Sequence, residues 1–312
     1  MAPKSTSATF QSGYLFGLGA AAAFVLMVAL VKLCREAGIS TRSIVFYRSF
    51  VVLPCCFILC RHLSLRVQAK GFLVARCLFG FAAMTTSFAA MRWINVVEIN
   101  LLFNLQPILV AAGAPLILGA IERPSRETLL ALSAALAGSC IIVAPELSVE
   151  ANPASNDRWL GLALGAMGAL CGAVAHVCLR GLQKTPAIVT VTWFQLCIAV
   201  FALVPFDGAP LAPLSMTDWA TFALVGVGLC AFAGQLCLTR AYQLLPAVNA
   251  SALGYSAPVF GIILDLTIFG AFPALHTLVG GSLIVASGLW WVQRSRVLTD
   301  STTASRQEAG SP

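Results

Sequence analysis

The chain has 312 residues, 59% of them hydrophobic and only 10% charged, and carries a formal net charge of +7. A soluble domain uses about 25% charged residues, so this composition excludes an ordinary soluble globular protein. The basic residues are scattered over loops and form no cluster. A nucleic-acid surface is therefore excluded, and the charge reads as a topology signal.

In hydrocarbon a backbone must bond to itself, so a spanning segment is a helix of about 20 apolar residues or part of a closed barrel. The apolar runs here are continuous rather than alternating, which excludes the barrel. Ten helical spans are expected, at 12–31, 44–60, 71–91, 96–118, 128–145, 159–179, 188–205, 218–239, 248–270 and 275–292. The first follows the polar start Met1 to Ser12 and is too long for a signal-peptide core, so it is expected to be retained. Most linkers are short and polar, such as Cys34-Arg35-Glu36-Ala37-Gly38 and Glu122-Arg123-Pro124-Ser125-Arg126. Beyond Gln293 the Ser/Thr-rich tail, 293–312, is expected to be disordered.

An even number of spans puts both termini on one side. With the N-terminus inside, eleven basic residues fall on the cytoplasmic side and five outside, which predicts cytoplasmic termini in a multi-pass membrane protein. The eleven cysteines lie almost entirely within spans and form no C-x-x-C pair. They read as small hydrophobes, and neither a disulfide framework nor a metal site is expected.

The second half repeats the first. Gly13-x-x-x-Gly17 lies over Gly161-x-x-x-Gly165, and Phe46-Tyr47-Arg48 over Trp193-Phe194-Gln195. Pro107 and Pro258 each precede a Gly-Ala pair, Gly119-Ala120 and Gly270-Ala271, by the same twelve residues. That register carries Asn100 onto Ser251 and Asn104 onto Tyr255; with one gap it brings Gly138 onto Gly288. Residues 12–145 and 159–292 then form two units of five spans each. Because five is odd, the second unit enters from the opposite face, giving the inverted symmetry of many secondary transporters.

The run Asn95-x-x-Glu98-x-Asn100-Leu101-Leu102-x-x-Leu105-Gln106-Pro107, followed by Gly119, resembles the EamA-type drug/metabolite transporter superfamily over residues 12–292. The resemblance implies an all-α, ten-helix carrier of small solutes or nucleotide-linked metabolites. It also implies that the fourth and ninth spans line a central cavity and that the fifth and tenth are peripheral. The acidic residue that usually follows the span-4 glycine is shifted here to Glu122.

Asn100 and Asn104 share a helix face, and their repeat partners Ser251 and Tyr255 keep the same spacing. Cavity lining or interhelical hydrogen bonding would each use such residues. Pro107 and Pro258 free a carbonyl one turn upstream and mark expected helix breaks. A charge within a span costs roughly 2.5 to 3.5 kcal/mol, so Arg48, Arg76, Glu98 and Asp265 ask for partners or a solvated path. Arg76 is near enough to a span edge to snorkel. Arg48, with Gln195 as its polar repeat partner, is the expected substrate-binding group, and Glu98 and Asp265 are candidates for counter-ion or proton coupling. His176 is read as a satisfied polar residue, and Tyr47, Trp193 and Tyr242 as interface anchors.

These features predict a secondary transporter of a small polar metabolite, an organic anion or nucleotide-related solute, working by alternating access. A non-transporting membrane scaffold is the alternative. An intramembrane enzyme, such as an acyl transferase, would need a nucleophile and a base in reach, and H-x-x-x-x-D, H-E-x-x-H and G-x-S-x-G are all absent from the sequence. Nor is there a Walker motif for ATP-driven pumping. The expected partners are a small-molecule solute and the lipid bilayer, with a homodimer left open; no cofactor and no nucleic acid are expected.

Overall fold

The computed structural model describes residues 5–90, 93–94, 96–149, 157–204, 208, 210–211, 219–268, 270 and 272–308. Among them every regular element is helical. In chain order they are α1 (Ser5–Glu36), α2 (Thr41–Phe50), α3 (Leu53–Cys60), α4 (Lys70–Ala90), α5 (Val96–Phe103), α6 (Gln106–Leu118), α7 (Arg126–Val149), α8 (Asp157–Gly181), α9 (Ala187–Phe201), α10 (Trp219–Leu244), α11 (Ala247–Ala252), α12 (Ala257–Ile268) and α13 (Leu275–Glu308). Short 3₁₀ turns cover Ala120–Glu122 and Leu253–Ser256.

Seven stretches among the described residues are long and apolar enough to cross a bilayer. Two shorter apolar helices, Ala187–Phe201 and Leu275–Trp291, and the 21-residue α4 complete ten spans. Spans 2, 4 and 9 are broken. In span 2 the kink at Val51–Val52 precedes Pro54, which sits in the first turn of α3 where its missing N–H is harmless. In span 4, α5 stops at Phe103 and α6 restarts with Pro107 in its first turn. In span 9 the 3₁₀ turn intervenes before Pro258. α13 runs on to Glu308, where the sequence suggested a disordered tail; no Gly or Pro between Gln293 and Glu308 stops it.

Spans 4 and 9 both end on a glycine with positive φ, Gly119 at 95° and Gly270 at 61°. A side chain would be strained at either position, so the duplicated glycines terminate duplicated helices. Packing has the same symmetry. Span 1 lies along span 8 and span 6 along span 3, two pairs that exchange when the halves are exchanged. Spans 5 and 10, 2 and 7, and 4 and 9 meet each other across the axis. The glycines explain the close approaches. A side chain at Gly17 would strike Leu253, and one at Gly165 would strike Leu102. Between spans 5 and 10 an added Cβ at Gly138 would meet the carbonyl of Gly280, and one at Gly280 would meet that of Gly138. Gly138 therefore corresponds to Gly280 and not to Gly288, beside which lies open space. The chain is an all-α polytopic membrane protein of ten helical spans in two inverted five-span halves. Large apolar side chains such as Leu15, Phe57, Ile58, Leu116 and Phe222 stay exposed, as lipid-facing residues should.

Candidate functional site

Two arginines enter the region where spans 2, 3, 7 and 8 converge. α4 brings Arg76 inward, and its guanidinium Nη2 donates to Oε1 of Gln235 on α10 at 2.9 Å. The guanidinium carbon lies 3.9 Å from the ring centroid of Phe194 on α9. Gly80, one turn further along α4, makes room for this stack, since a Cβ there would strike both Arg76 Nη1 and the Phe194 ring. Arg76 is 3% exposed, so it does not snorkel to the interface. A specific acceptor and a ring face hold it inside.

Arg48 approaches from α2. Its Nη1 donates to the thioether of Met84 on α4 at 3.4 Å. Next to it, Ser49 Oγ donates to Oε1 of Gln195 at 3.0 Å and ties α2 to α9. Among the described residues the Nε atoms of Arg48 and Arg76 and Nε2 of Gln195 are buried without partners. A hydroxyl such as Ser49 can donate or accept, so the Gln195 amide can adapt, but guanidinium can only donate. Among the described residues no carboxylate lies within ion-pair distance of either arginine. The side chains of Glu98 and Asp265, the candidate counter-ions, lie outside the described set, as does that of Asn100.

Magnitudes separate the two arginines. Arg76 gains a charge-assisted hydrogen bond to the neutral Gln235 amide, about 1.5 to 3 kcal/mol, and a buried cation–π contact of up to about 2 kcal/mol. Together these offset the cost of a charge in a span. Among the described residues Arg48 has only a weak sulfur acceptor. Within that set it is the less compensated charge of the two.

The polar residues of spans 4 and 9 are placed differently from a free cavity lining. Asn104 Nδ2 donates to Ser139 Oγ on α7 at 2.8 Å. Tyr255, buried, donates to the backbone carbonyl of Asn104 at 2.7 Å. Ser251 Oγ donates to Val248 O in its own helix at 2.8 Å. Pro107 and Pro258 flank this contact, at the starts of α6 and α12. These side chains therefore serve helix joints in this conformation. Tyr242 is not an interface anchor either: it is fully buried, its ring 5.4 Å from that of His176. Tyr47 is likewise buried, whereas Trp193 caps the carbonyl of Leu65 at an exposed edge, as an anchor would.

A second polar knot lies on the face that bears the N-terminus. Glu122 Oε1 accepts from Arg180 Nε and its Oε2 from the Ala247 N–H, both at 2.7 Å. Arg180 Nη1 also reaches the carbonyls of Gln243, at 3.1 Å, and Tyr242, at 3.4 Å. One carboxylate thus joins the loop after span 4 to the ends of α8 and α10 and the start of α11. In the sequence Glu122 is visible only as a displaced acid, and Arg76 as a span charge near enough to the edge to snorkel. For Arg76 the signal was Gly80 on the same helix face, which leaves space for a large side chain.

The EamA-like transporter family profile matches residues 11–144 and again 159–292. The chain is similar to the pseudopaline exporter CntI of Pseudomonas aeruginosa, at 26% identity over 89% of this chain and 94% of that protein. An uncharacterised transporter of Helicobacter pylori is 25% identical over 85% of this chain and 89% of its own. A protein of known crystal structure superposes with a TM-score of 0.76, covering 92% of this chain and 99% of that one at 20% identity, and shows the same fold. With two matched halves spanning nearly all ten helices and relatives that are transporters rather than enzymes, the chain belongs to the EamA-like transporter family and is a multi-pass membrane transporter of a small-molecule solute.

Proposed function

We propose that this transporter carries a small organic anion, a carboxylate or a phosphate-bearing solute, by alternating access between its two halves. The carrying observation is the pair of guanidiniums at the convergence of spans 2, 3, 7 and 8, with unused donors and no described carboxylate beside them. A site that only donates is complementary to a ligand that only accepts, and a carboxylate or phosphate engages guanidinium through paired charge-assisted bonds. Arg48 supplies the free fork, Arg76 is fixed by Gln235 and Phe194, and the Gln195 amide turns toward the bound oxygen atoms. Glu98 and Asp265 are the groups that would take up charge or a proton when the site is empty. The breaks at Pro107 and Pro258 would let spans 4 and 9 bend between states, exchanging the contacts of Asn100, Asn104, Ser251 and Tyr255. Both termini face the cytoplasm on this reading.

Transport of labelled mono- and dicarboxylates, sugar phosphates and nucleotides by proteoliposomes tests it. Arg48→Lys keeps the charge and loses the planar fork, so apparent affinity should fall about tenfold or more while the protein still inserts and folds. Arg48→Gln should abolish anion-dependent transport and anion-induced thermal stabilisation. Wild-type transport by Arg48→Gln would defeat the proposal. Loss of folded protein in that variant, restored by also neutralising Glu98 or Asp265, would assign Arg48 to structure instead.

A further inference from the structure

A crevice of about 780 Å³ opens on the N-terminal face between α1, α10 and the loop joining α8 to α9. Two kinds of residue line it. Gln183, Lys184, Arg240 and Gln243 form a polar mouth, while Phe16, Leu63, Ile188, Ala233, Leu236 and Cys237 form an apolar wall. The lining contains no Asp or Glu. Lys184 and Arg240 are both exposed, and among the described residues neither has a carboxylate within ion-pair distance. The hydrogen bond of Arg240 goes to Gln243 Oε1, at a long 3.4 Å.

Helix geometry shows what this crevice faces. Ala233, Leu236, Cys237 and Arg240 follow an i, i+3, i+4, i+7 pattern on one side of α10. The central Gln235, Thr239 and Tyr242 occupy the opposite side, and all three are buried. At about 100° per residue the two stripes point roughly 150° apart. The crevice therefore does not lead to the arginine pair. It climbs the outside of α10 from Arg240 to the exposed Ala233, about 10 Å deeper at 1.5 Å per residue, into the depth of the hydrocarbon. A water-soluble solute gains nothing from such a wall, whereas a molecule with an anionic head and an apolar tail matches both parts.

We propose that this crevice binds one anionic glycerophospholipid from the leaflet on the N-terminal side. Lys184 and Arg240 hold its phosphate, Gln183 and Gln243 border the headgroup, and an acyl chain lies against Phe16, Leu236 and Ala233. Basic pockets between transmembrane helices recognise lipid headgroups in this way, each nearby Lys or Arg strengthening binding about fivefold. The site is separate from the solute site and does not depend on which anion is carried.

The test uses the full chain purified in detergent, with native mass spectrometry to count retained lipid and thermal unfolding as the second readout. Phosphatidylglycerol should be retained one per chain and should raise the unfolding temperature, with phosphatidylcholine doing neither. K184Q/R240Q should weaken phosphatidylglycerol retention roughly 25-fold. Ala233→Trp, which fills the apolar wall and leaves both charges, should also lose the lipid; it decides the matter if the double variant does not fold. Equal retention of the two lipids by the wild type, or undiminished retention in Ala233→Trp, would overturn the proposal. So would displacement of phosphatidylglycerol by millimolar glycerol 3-phosphate, since that would make this a site for soluble anions.

Discussion

The hydroxyl of Tyr255 donates to the backbone carbonyl of Asn104 at 2.7 Å, and their separation of 151 positions is the offset that carries span 4 onto span 9. Each is the other's counterpart, so the contact sits on the pseudo-twofold axis and joins the two broken spans. The Asn104 carbonyl is available because the N–H of Ile108 turns instead to Leu105 O. Tyr255→Phe should therefore leave a buried carbonyl unpaired and cost about 1 to 3 kcal/mol. Thermal unfolding in detergent checks it, and an unchanged midpoint would show that the carbonyl finds another donor.

Gln235 is the side-chain acceptor that Arg76 uses. Gln235→Glu is nearly isosteric and supplies a carboxylate at 2.9 Å, so the protein should remain folded while its own acid competes with the anionic solute proposed above. Transport should fall at least tenfold, with unchanged expression and a midpoint equal to or above that of the wild type. Transport at the wild-type rate would remove Arg76 from the anion site.

Gly80→Ala places a methyl group against Arg76 Nη1 and the Phe194 ring. Overpacking of this kind costs about 1 to 3 kcal/mol and would push the guanidinium off the ring. Measured on the purified protein, stability should fall by that amount. If Arg76 belongs to the proposed solute site, the apparent KM should rise more than the maximal rate falls. A stability loss with unaltered KM would make the Arg76 stack purely structural.

Glu122 and Arg180 close the N-terminal-side ends of α8, α10 and α11, with side-chain exposures of 5% and 20%. The duplicated positions, Pro273 and Lys32, offer no carboxylate, so they cannot form the same pair. Glu122→Ala removes the acceptor of Arg180 Nε and of the Ala247 N–H, while Arg180 Nη1 keeps the Gln243 and Tyr242 carbonyls. Removing one partner of a fully buried pair costs about 3 to 5 kcal/mol; the residual exposure of Arg180 reduces this to about 1 to 3. Cys178, buried at 3% near the end of α8, should then react faster with a thiol reagent, as read residue by residue by mass spectrometry. Unaltered Cys178 reactivity would mean the knot restrains neither helix.

Gly138 and Gly280 approach each other's backbone across spans 5 and 10. Leu at either position should separate the helices at similar cost, and the double variant should cost clearly less than the sum, because both substitutions break one contact. Additive losses in thermal unfolding would place the two glycines in independent environments.

Spans, duplication and inversion were legible in the sequence because each rests on a local or counting property. Continuous apolar runs must be helices in hydrocarbon, and an odd number of spans per half must invert the second. Gly119 and Gly270 announced the helix ends because only glycine accepts their positive φ without strain. The contents of the site were not local properties. Arg76 looked close enough to a span edge to reach water, and only the arrival of Gln235 and Phe194 from the other half of the chain turned it inward. Asn104 and Tyr255 looked like two free polar stripes until packing spent their hydrogen bonds on Ser139 and on each other's span. Periodicity tells which side of a helix is polar. Which partner that side meets depends on contacts more than a hundred residues apart in the chain, and these exist only once the two halves have packed together.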